Sequence, residues 1–198
     1  MDAPTSKALP AFGFLTVLES AGHGLFGGYL VLSPQGRPLE FRCTTPVVAT
    51  RAQEILYGPT LQPYLLGEVI GPALLNGAEL PVAALLTDQR DMLGLALVRH
   101  EELLLIEPLQ RREAEPSREL ALPSSPAVGG ASAVLGGCRV TAAATSVLSA
   151  ESLHALLEPL TAHVYLAEPF DRIRAALLEA QQATLDAAEL DDDHAAAA

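Results

Sequence analysis

Six polar residues between positions 37 and 57 form the best candidate for a ligand-binding surface. Arginine can bind a carboxylate or a phosphate through two parallel hydrogen bonds. One interpretation is a small-anion sensor that holds its ligand at Arg42 and Arg51. The other is a structural arginine–glutamate network between a sheet edge and a helix, since such networks are common. The candidate ligand-binding residues are Arg37, Glu40, Arg42, Arg51, Glu54 and Tyr57.

Carboxylates offer a second kind of chemistry. The predicted order of three strands, a helix and a strand is similar to that of ribonuclease-H-like folds. The resemblance implies a divalent-metal site with one aspartate in the middle of the first strand and one at the end of the fourth. Asp88 suits the second position, whereas the first strand offers only Glu19, at its end. A metal-dependent nuclease or phosphodiesterase with Asp88 and Glu19 as metal ligands is therefore an alternative.

A glycine motif at Gly22, Gly24 and Gly27 fits the G-x-G-x-x-G pattern of dinucleotide-binding proteins. That pattern needs a helix to follow, because the pyrophosphate binds at the helix N-terminus. The residues that follow are Gly28, an aromatic residue and three aliphatic ones, and this composition predicts a strand over 28–32. The glycines therefore indicate a connection between two antiparallel strands.

Histidine and cysteine spacing predicts no metal site. The five histidines form neither H-x-x-x-H nor H-E-x-x-H, and Cys43 and Cys138 form no C-x-x-C. Both cysteines are predicted to be reduced residues of the core, since free cysteine is among the most buried residue types. We find no G-x-S-x-G motif and no P-loop, so no catalytic residue and no cofactor is predicted.

Composition limits the class of protein. The chain has 198 residues, of which 49% are hydrophobic and 18% charged, which is typical of a globular domain. The net charge of −12 argues against nucleic acid as the main partner, because phosphate backbones require clustered lysine and arginine. No apolar run approaches the roughly 18–20 residues of a membrane span, and no signal peptide is recognised. We expect a soluble cytoplasmic protein without a membrane partner.

The hydrophobic pattern predicts the elements that position these residues. Strands are expected at 12–18, 28–33 and 38–45, followed by a helix that Thr50 and Gln53 begin as a capping box. Ile55 and Leu56 of that helix are expected to face inward. A strand–helix–strand order from Leu80 to Ile106 favours a parallel pair. Further on, Ser149 begins a helix at 150–160, and the last helix covers about 169–188.

The predicted fold class is α/β, with a mixed sheet whose N-terminal part is three antiparallel strands and with helices packed on it. Residues 1–11 are expected to be a loose leader, and 12–188 a single domain. Within the domain, residues 108–130 contain several prolines and glycines and predict a surface loop. Residues 189–198, acidic and then alanine-rich, are expected to be a disordered tail.

Three segments resemble a family of uncharacterised conserved bacterial proteins of the planctomycete type. These segments are Gly24–Leu32, Arg37–Thr44 together with Arg51–Thr60, and Ala167–Arg174. The resemblance implies a bacterial cytoplasmic origin and no catalytic residues. Because no catalytic or metal set is complete, the leading prediction is a non-enzymatic protein-interaction or regulatory module with a protein partner. Whether it forms a homo-oligomer stays open.

Overall fold

The structure is a computed structural model that describes residues 10–20, 22–109 and 129–195, with side chains as far as 182. Within these ranges seven strands form one sheet in the order β3-β2-β1-β4-β5-β7-β6. The strands are β1 Phe12–Ser20, β2 Gly24–Leu32, β3 Pro38–Cys43, β4 Ala84–Thr87, β5 Leu103–Pro108, β6 Ser132–Leu135 and β7 Cys138–Ala142.

Helices cover both faces of the sheet. A run of helical turns contains α1 Arg51–Tyr57, a 3-10 turn Gly58–Thr60, α2 Leu61–Tyr64, a π-helical turn Leu65–Ile70 and α3 Gly71–Leu75. The 3-10 helix Arg90–Leu97 connects β4 to β5, and α4 Ala150–Thr161 and α5 Glu168–Ala195 complete the described chain. None of the helices within the described ranges combines the length and the apolar character that a membrane span requires.

The sheet is mixed, as the sequence predicts. Strands β1, β2 and β3 are antiparallel, whereas β4 and β5 run parallel to β1. In the sheet β2 is hydrogen-bonded to one edge of β1 and β4 to its other edge. The strand order therefore reverses at the pair of β1 and β4, where the carboxyl end of β4 lies beside the middle of β1, and open α/β sheets bind ligands at such a reversal. The α/β fold prediction is confirmed.

The glycine motif is the connection between β1 and β2. Gly22 and Gly24 have φ angles of +81° and +92°, which residues with a side chain rarely adopt. β2 begins at Gly24, four residues earlier than the sequence pattern predicts, and pairs with β1 through Ser20. The segment is therefore a hairpin and not a turn from strand to helix.

Two apolar cores lie on the two faces of the sheet. On one face, α5 packs over β1 and β2, where the rings of Phe14 and Phe170 meet edge to face at 5.5 Å. The opposite face is covered by the helical turns from Leu65 to Leu75 and by the 3-10 helix. Alternation along β1 sends Phe12, Phe14 and Thr16 towards α5, and sends Leu15 and Val17 to the other core.

Some local predictions differ from the structure. The capping box of Thr50 and Gln53 is present, but Ile55 and Leu56 are 67% and 81% exposed rather than inward-facing. The strand predicted from Leu80 begins only at Ala84, as β4, because the residues before it form a loop around Pro81. The hydrophobic pattern did not predict β6. The predicted leader, surface loop and tail lie wholly or partly outside the described residues.

Candidate functional site

Asp88 follows β4 directly and lies beside the middle of β1. The hydroxyl of Thr16 donates a hydrogen bond to Asp88 Oδ1 at 2.8 Å. Nη2 of Arg174, from α5, donates to Asp88 Oδ2 in a short ion pair. Thr16 is fully buried, whereas the Asp88 and Arg174 side chains are 16% and 34% exposed. The carboxylate is therefore held from two sides and still reached by solvent.

The strand register explains this arrangement. Leu15 pairs with Thr87 in the parallel ladder between β1 and β4, so the next residue, Asp88, comes beside Thr16. On α5 the buried Ile173 fixes the helix on the sheet, and its neighbour Arg174 lies at the border of the buried stripe. The guanidinium also contacts the Thr16 hydroxyl at 3.4 Å, so the three side chains form one cluster.

Gln89 fixes the turn after β4. Its Nε2 donates to the backbone oxygen of Val17 at 2.6 Å, and its backbone N–H donates to the Thr87 hydroxyl at 3.2 Å. Its Oε1 atom is buried and has no hydrogen-bond partner among the described residues. These contacts fasten the turn that carries Asp88 to β1.

The residues present do not fit a divalent metal ion. Carboxylate sites for Mg²⁺ or Mn²⁺ need several oxygen ligands, yet the neighbours of the Asp88 carboxylate are one hydroxyl, from Thr16, and the cationic guanidinium of Arg174. Glu19 lies one residue before Ser20, whose hydroxyl contacts α5, so strand alternation places Glu19 on the opposite face. Within the described ranges, no group of three or more histidine, cysteine, aspartate or glutamate side chains could hold a metal.

The predicted ligand-binding residues do not converge. Glu40 accepts hydrogen bonds from the backbone N–H groups of Glu79 and Leu80 at 3.2 Å, and Arg42 donates to the backbone oxygen of Gly77 at 2.5 Å. These two side chains therefore fasten the loop before β4 to the edge strand β3.

The remaining four candidates lie elsewhere. Arg51 and Glu54 form an exposed ion pair at 2.8 Å on α1. The ring of Tyr57 stacks on Tyr64 with centroids 4.3 Å apart. Arg37 closes the turn between β2 and β3, where its backbone N–H donates to the Ser33 hydroxyl. The structure thus shows separate local contacts where the sequence predicts one surface.

The two cysteines differ in burial, although both are free thiols. Cys138 is fully buried on β7, as predicted, and burial raises the pKa of its thiol. Cys43 is exposed, which contradicts the prediction that it belongs to the core. The reason is that β3 is an edge strand that α5 does not cover. Cys43, His23 and Phe26 line a largely apolar cavity of about 340 Å³ beside α5.

Sequence reasoning identified Asp88 and missed Thr16 and Arg174. Thr16 carried a signal, since it is the one hydroxyl residue in the apolar run from Phe12 to Leu18. The sequence signal for Arg174 was weaker, because arginines on a helix surface are common. Its partner is 86 positions away in the chain, and no local pattern connects the two.

Two solved structures are similar to this chain over most of its length. Human endonuclease V has 15% sequence identity and a TM-score of 0.49, covering 92% of this chain and 89% of that chain. Endonuclease V of Ciona intestinalis, in complex with DNA containing an inosine followed by a ribo-adenosine, has 13% identity and a TM-score of 0.43. It covers 87% of each chain. No protein-family model and no curated protein sequence matches.

These neighbours contradict two predictions. Both are endonucleases, which contradicts the prediction of a non-enzymatic protein-interaction or regulatory module. The Ciona intestinalis protein is in complex with DNA, which contradicts the prediction that nucleic acid is no partner. The exclusion relied on the net charge of the whole chain, which does not give the sign of the charge at one edge of the sheet.

Proposed function

We propose that this chain is a nuclease-type phosphodiesterase whose substrate lies across the carboxyl end of β4 and the middle of β1. The observation that carries the proposal is the cluster of Asp88, Thr16 and Arg174 at the reversal of strand order. A partly exposed carboxylate beside a guanidinium suits the hydrolysis of a phosphodiester. The carboxylate can accept a proton, and the guanidinium can bind phosphate oxygens.

The two charged groups have separate roles in hydrolysis. Arg174 also donates from Nη1 to Asp171 at 3.2 Å, and the non-bridging phosphate oxygens replace this contact, because the Asp171 side chain is 81% exposed. Asp88 accepts a proton from the attacking water through a lone pair that its present hydrogen bonds leave free. The water oxygen forms a bond to phosphorus while the bond to the leaving nucleoside oxygen breaks, and that oxygen takes a proton from solvent. Thr16 is a positioning residue, because its hydroxyl orients the Asp88 carboxylate.

The surroundings limit the substrate. The cavity beside α5 is lined by His23, Phe26 and Leu177, and Leu177 lies one helical turn from Arg174, so an apolar group of the nucleoside can occupy it. Since the chain carries a net charge of −12, few of its groups can attract a nucleic-acid backbone. When the logarithm of the affinity for a single strand is plotted against the logarithm of the salt concentration, each neutralised phosphate contributes a slope of about −0.7. We expect a slope near this value, which corresponds to one phosphate.

We expect Arg174→Gln to weaken oligonucleotide binding, because it removes the cation that faces the phosphate. Fluorescence anisotropy with labelled single-stranded and duplex DNA and RNA measures affinity, and gel analysis of the same samples detects cleavage. Arg139→Gln is the matched control, since Arg139 is exposed on β7 and its loss changes the net charge equally. Equal effects of the two variants, or no binding by the unmodified protein at low salt, would overturn the proposal.

We also propose a cytoplasmic location and a bacterial origin within the uncharacterised family that the sequence resembles. The location is supported by the two free cysteines, since proteins of oxidising compartments commonly pair theirs in disulfides. Cys43 in particular is exposed and would be open to oxidation outside a reducing compartment. Fractionation of cells that express the tagged chain tests this location, and recovery with secreted proteins would contradict it.

A further inference from the structure

A second cavity lies at the amino ends of the parallel strands, at the opposite edge from Asp88. Its volume is about 330 Å³, within the size range of small-molecule sites. Leu75, the loop from Ala78 to Val82 and Leu85 at the start of β4 give it apolar walls. Arg99 and Glu101, just before β5, complete the lining. This cavity contributes nothing to the Asp88 cluster.

Tyr29 brings a hydroxyl to this cavity. The residue is 1% exposed, and its ring lies across β1 above Gly13. A Cβ at Gly13 would come within 2.6 Å of Tyr29 Cε2 and 2.9 Å of its hydroxyl oxygen, so glycine is required for this placement. Within the described residues the hydroxyl has no hydrogen-bond partner. Burial raises the pKa of Tyr29 to about 12, so the hydroxyl stays protonated and serves as a donor.

The charges around the cavity favour a neutral ligand. Arg99 is bound to Glu101 at 2.7 Å, and Arg42 is occupied by Gly77 and lies 3.8 Å from Glu40. Arg99 and Arg42 thus each have a carboxylate within 4 Å, although Nε of Arg42 is buried and has no hydrogen-bond partner among the described residues. Glu79 adds a negative charge to the lining. An anion would lose its hydration there without gaining an unpaired cation.

We propose that this cavity binds a small neutral molecule whose carbonyl or amide oxygen accepts a hydrogen bond from Tyr29. The apolar part of the ligand contacts Leu75, Val82 and Leu85. Glu40 and Arg42 act as positioning residues, because they hold the loop that forms one wall. The site is independent of the proposed phosphodiesterase activity.

Benzamide and benzoate test the proposal, because they share a shape and differ in charge. Chemical-shift titration of the intact chain is expected to show saturable benzamide binding at the resonances of Tyr29 and Val82, and weaker binding of benzoate. Tyr29→Phe removes only the hydroxyl, and we expect it to weaken benzamide binding about 2- to 10-fold. Tyr57→Phe, on the half-buried stacked pair outside the cavity lining, is the control and is expected to change nothing.

Filling the cavity gives a second, independent variant. Ala78→Leu places three additional carbons in the cavity, and we expect it to abolish benzamide binding while the thermal unfolding midpoint shows that the chain is folded. The proposal is overturned if benzamide does not bind, if benzoate binds as tightly, or if Tyr29→Phe and Ala78→Leu both leave the affinity unchanged.

Discussion

Replacing Asp88 with asparagine is expected to lower the rate of phosphodiester cleavage by about 10²–10⁴, the usual contribution of a positioned general base. Asparagine has nearly the same shape and keeps the hydrogen bond from Thr16, but its amide does not accept a proton from water at neutral pH. Oligonucleotide affinity should be kept or increased, because a negative charge next to the phosphate is removed. Single-turnover cleavage with excess enzyme separates the chemical step from binding.

Glu19→Gln is the matched control for Asp88→Asn. Both changes convert a carboxylate to an amide beside β1, but Glu19 lies near the carboxyl end of that strand and on the opposite face from Thr16. We expect the Glu19 variant to cleave at the unmodified rate. Equal losses in the two variants would support the paired-carboxylate metal site that the sequence suggests. An unchanged rate in Asp88→Asn would exclude Asp88 from the chemistry.

Gly28→Ala is expected to lower the free energy of unfolding by about 1–3 kcal/mol, the usual cost of an overpacked core. A Cβ at this position in β2 would overlap Cγ2 of Ile173 and lie 3.2 Å from Leu177 Cδ1, both on α5. In a domain of this size the loss corresponds to a fall of roughly 2–12 °C in Tm. Because α5 also carries Arg174, the displacement should weaken oligonucleotide binding in the same variant.

Gly94→Ala is the control for the added methyl group. The nearest atoms to a Cβ at Gly94 are 3.8 Å away, an ordinary contact distance, so we expect Tm to change little. Calorimetry of both variants measures the difference. If Gly28→Ala were as stable as Gly94→Ala, α5 would not be packed against β2 as closely as described.

The sequence predicts the first half of the fold well because its signals there are local. Alternating burial and a turn of proline and glycine define β2 and β3, and the side chains of Thr50 and Gln53 define the beginning of α1. Asp88 could be placed at the end of a buried strand from the apolar run that precedes it. These features depend on neighbours within a few positions, where pattern and turn chemistry decide the structure.

Features that depend on distant parts of the chain could not be predicted. Whether a helix face is buried depends on what packs against it, and nothing among the described residues covers Ile55 and Leu56. Glu40 and Arg42 seemed suited to a ligand because their partners, backbone groups of the loop at 77–80, are about 35–40 positions away. The pairing of Asp88 with Arg174 likewise exists only once α5 has packed on β1.

The central claim is that the Asp88 and Arg174 cluster hydrolyses a phosphodiester without a divalent metal. The most direct test is the rate at which the unmodified chain cleaves a labelled single-stranded oligonucleotide in excess EDTA, compared with the rate in Mg²⁺. We predict cleavage products in EDTA at a rate equal to that in Mg²⁺. Products that form only with Mg²⁺, or no products under either condition, would contradict this account of the site.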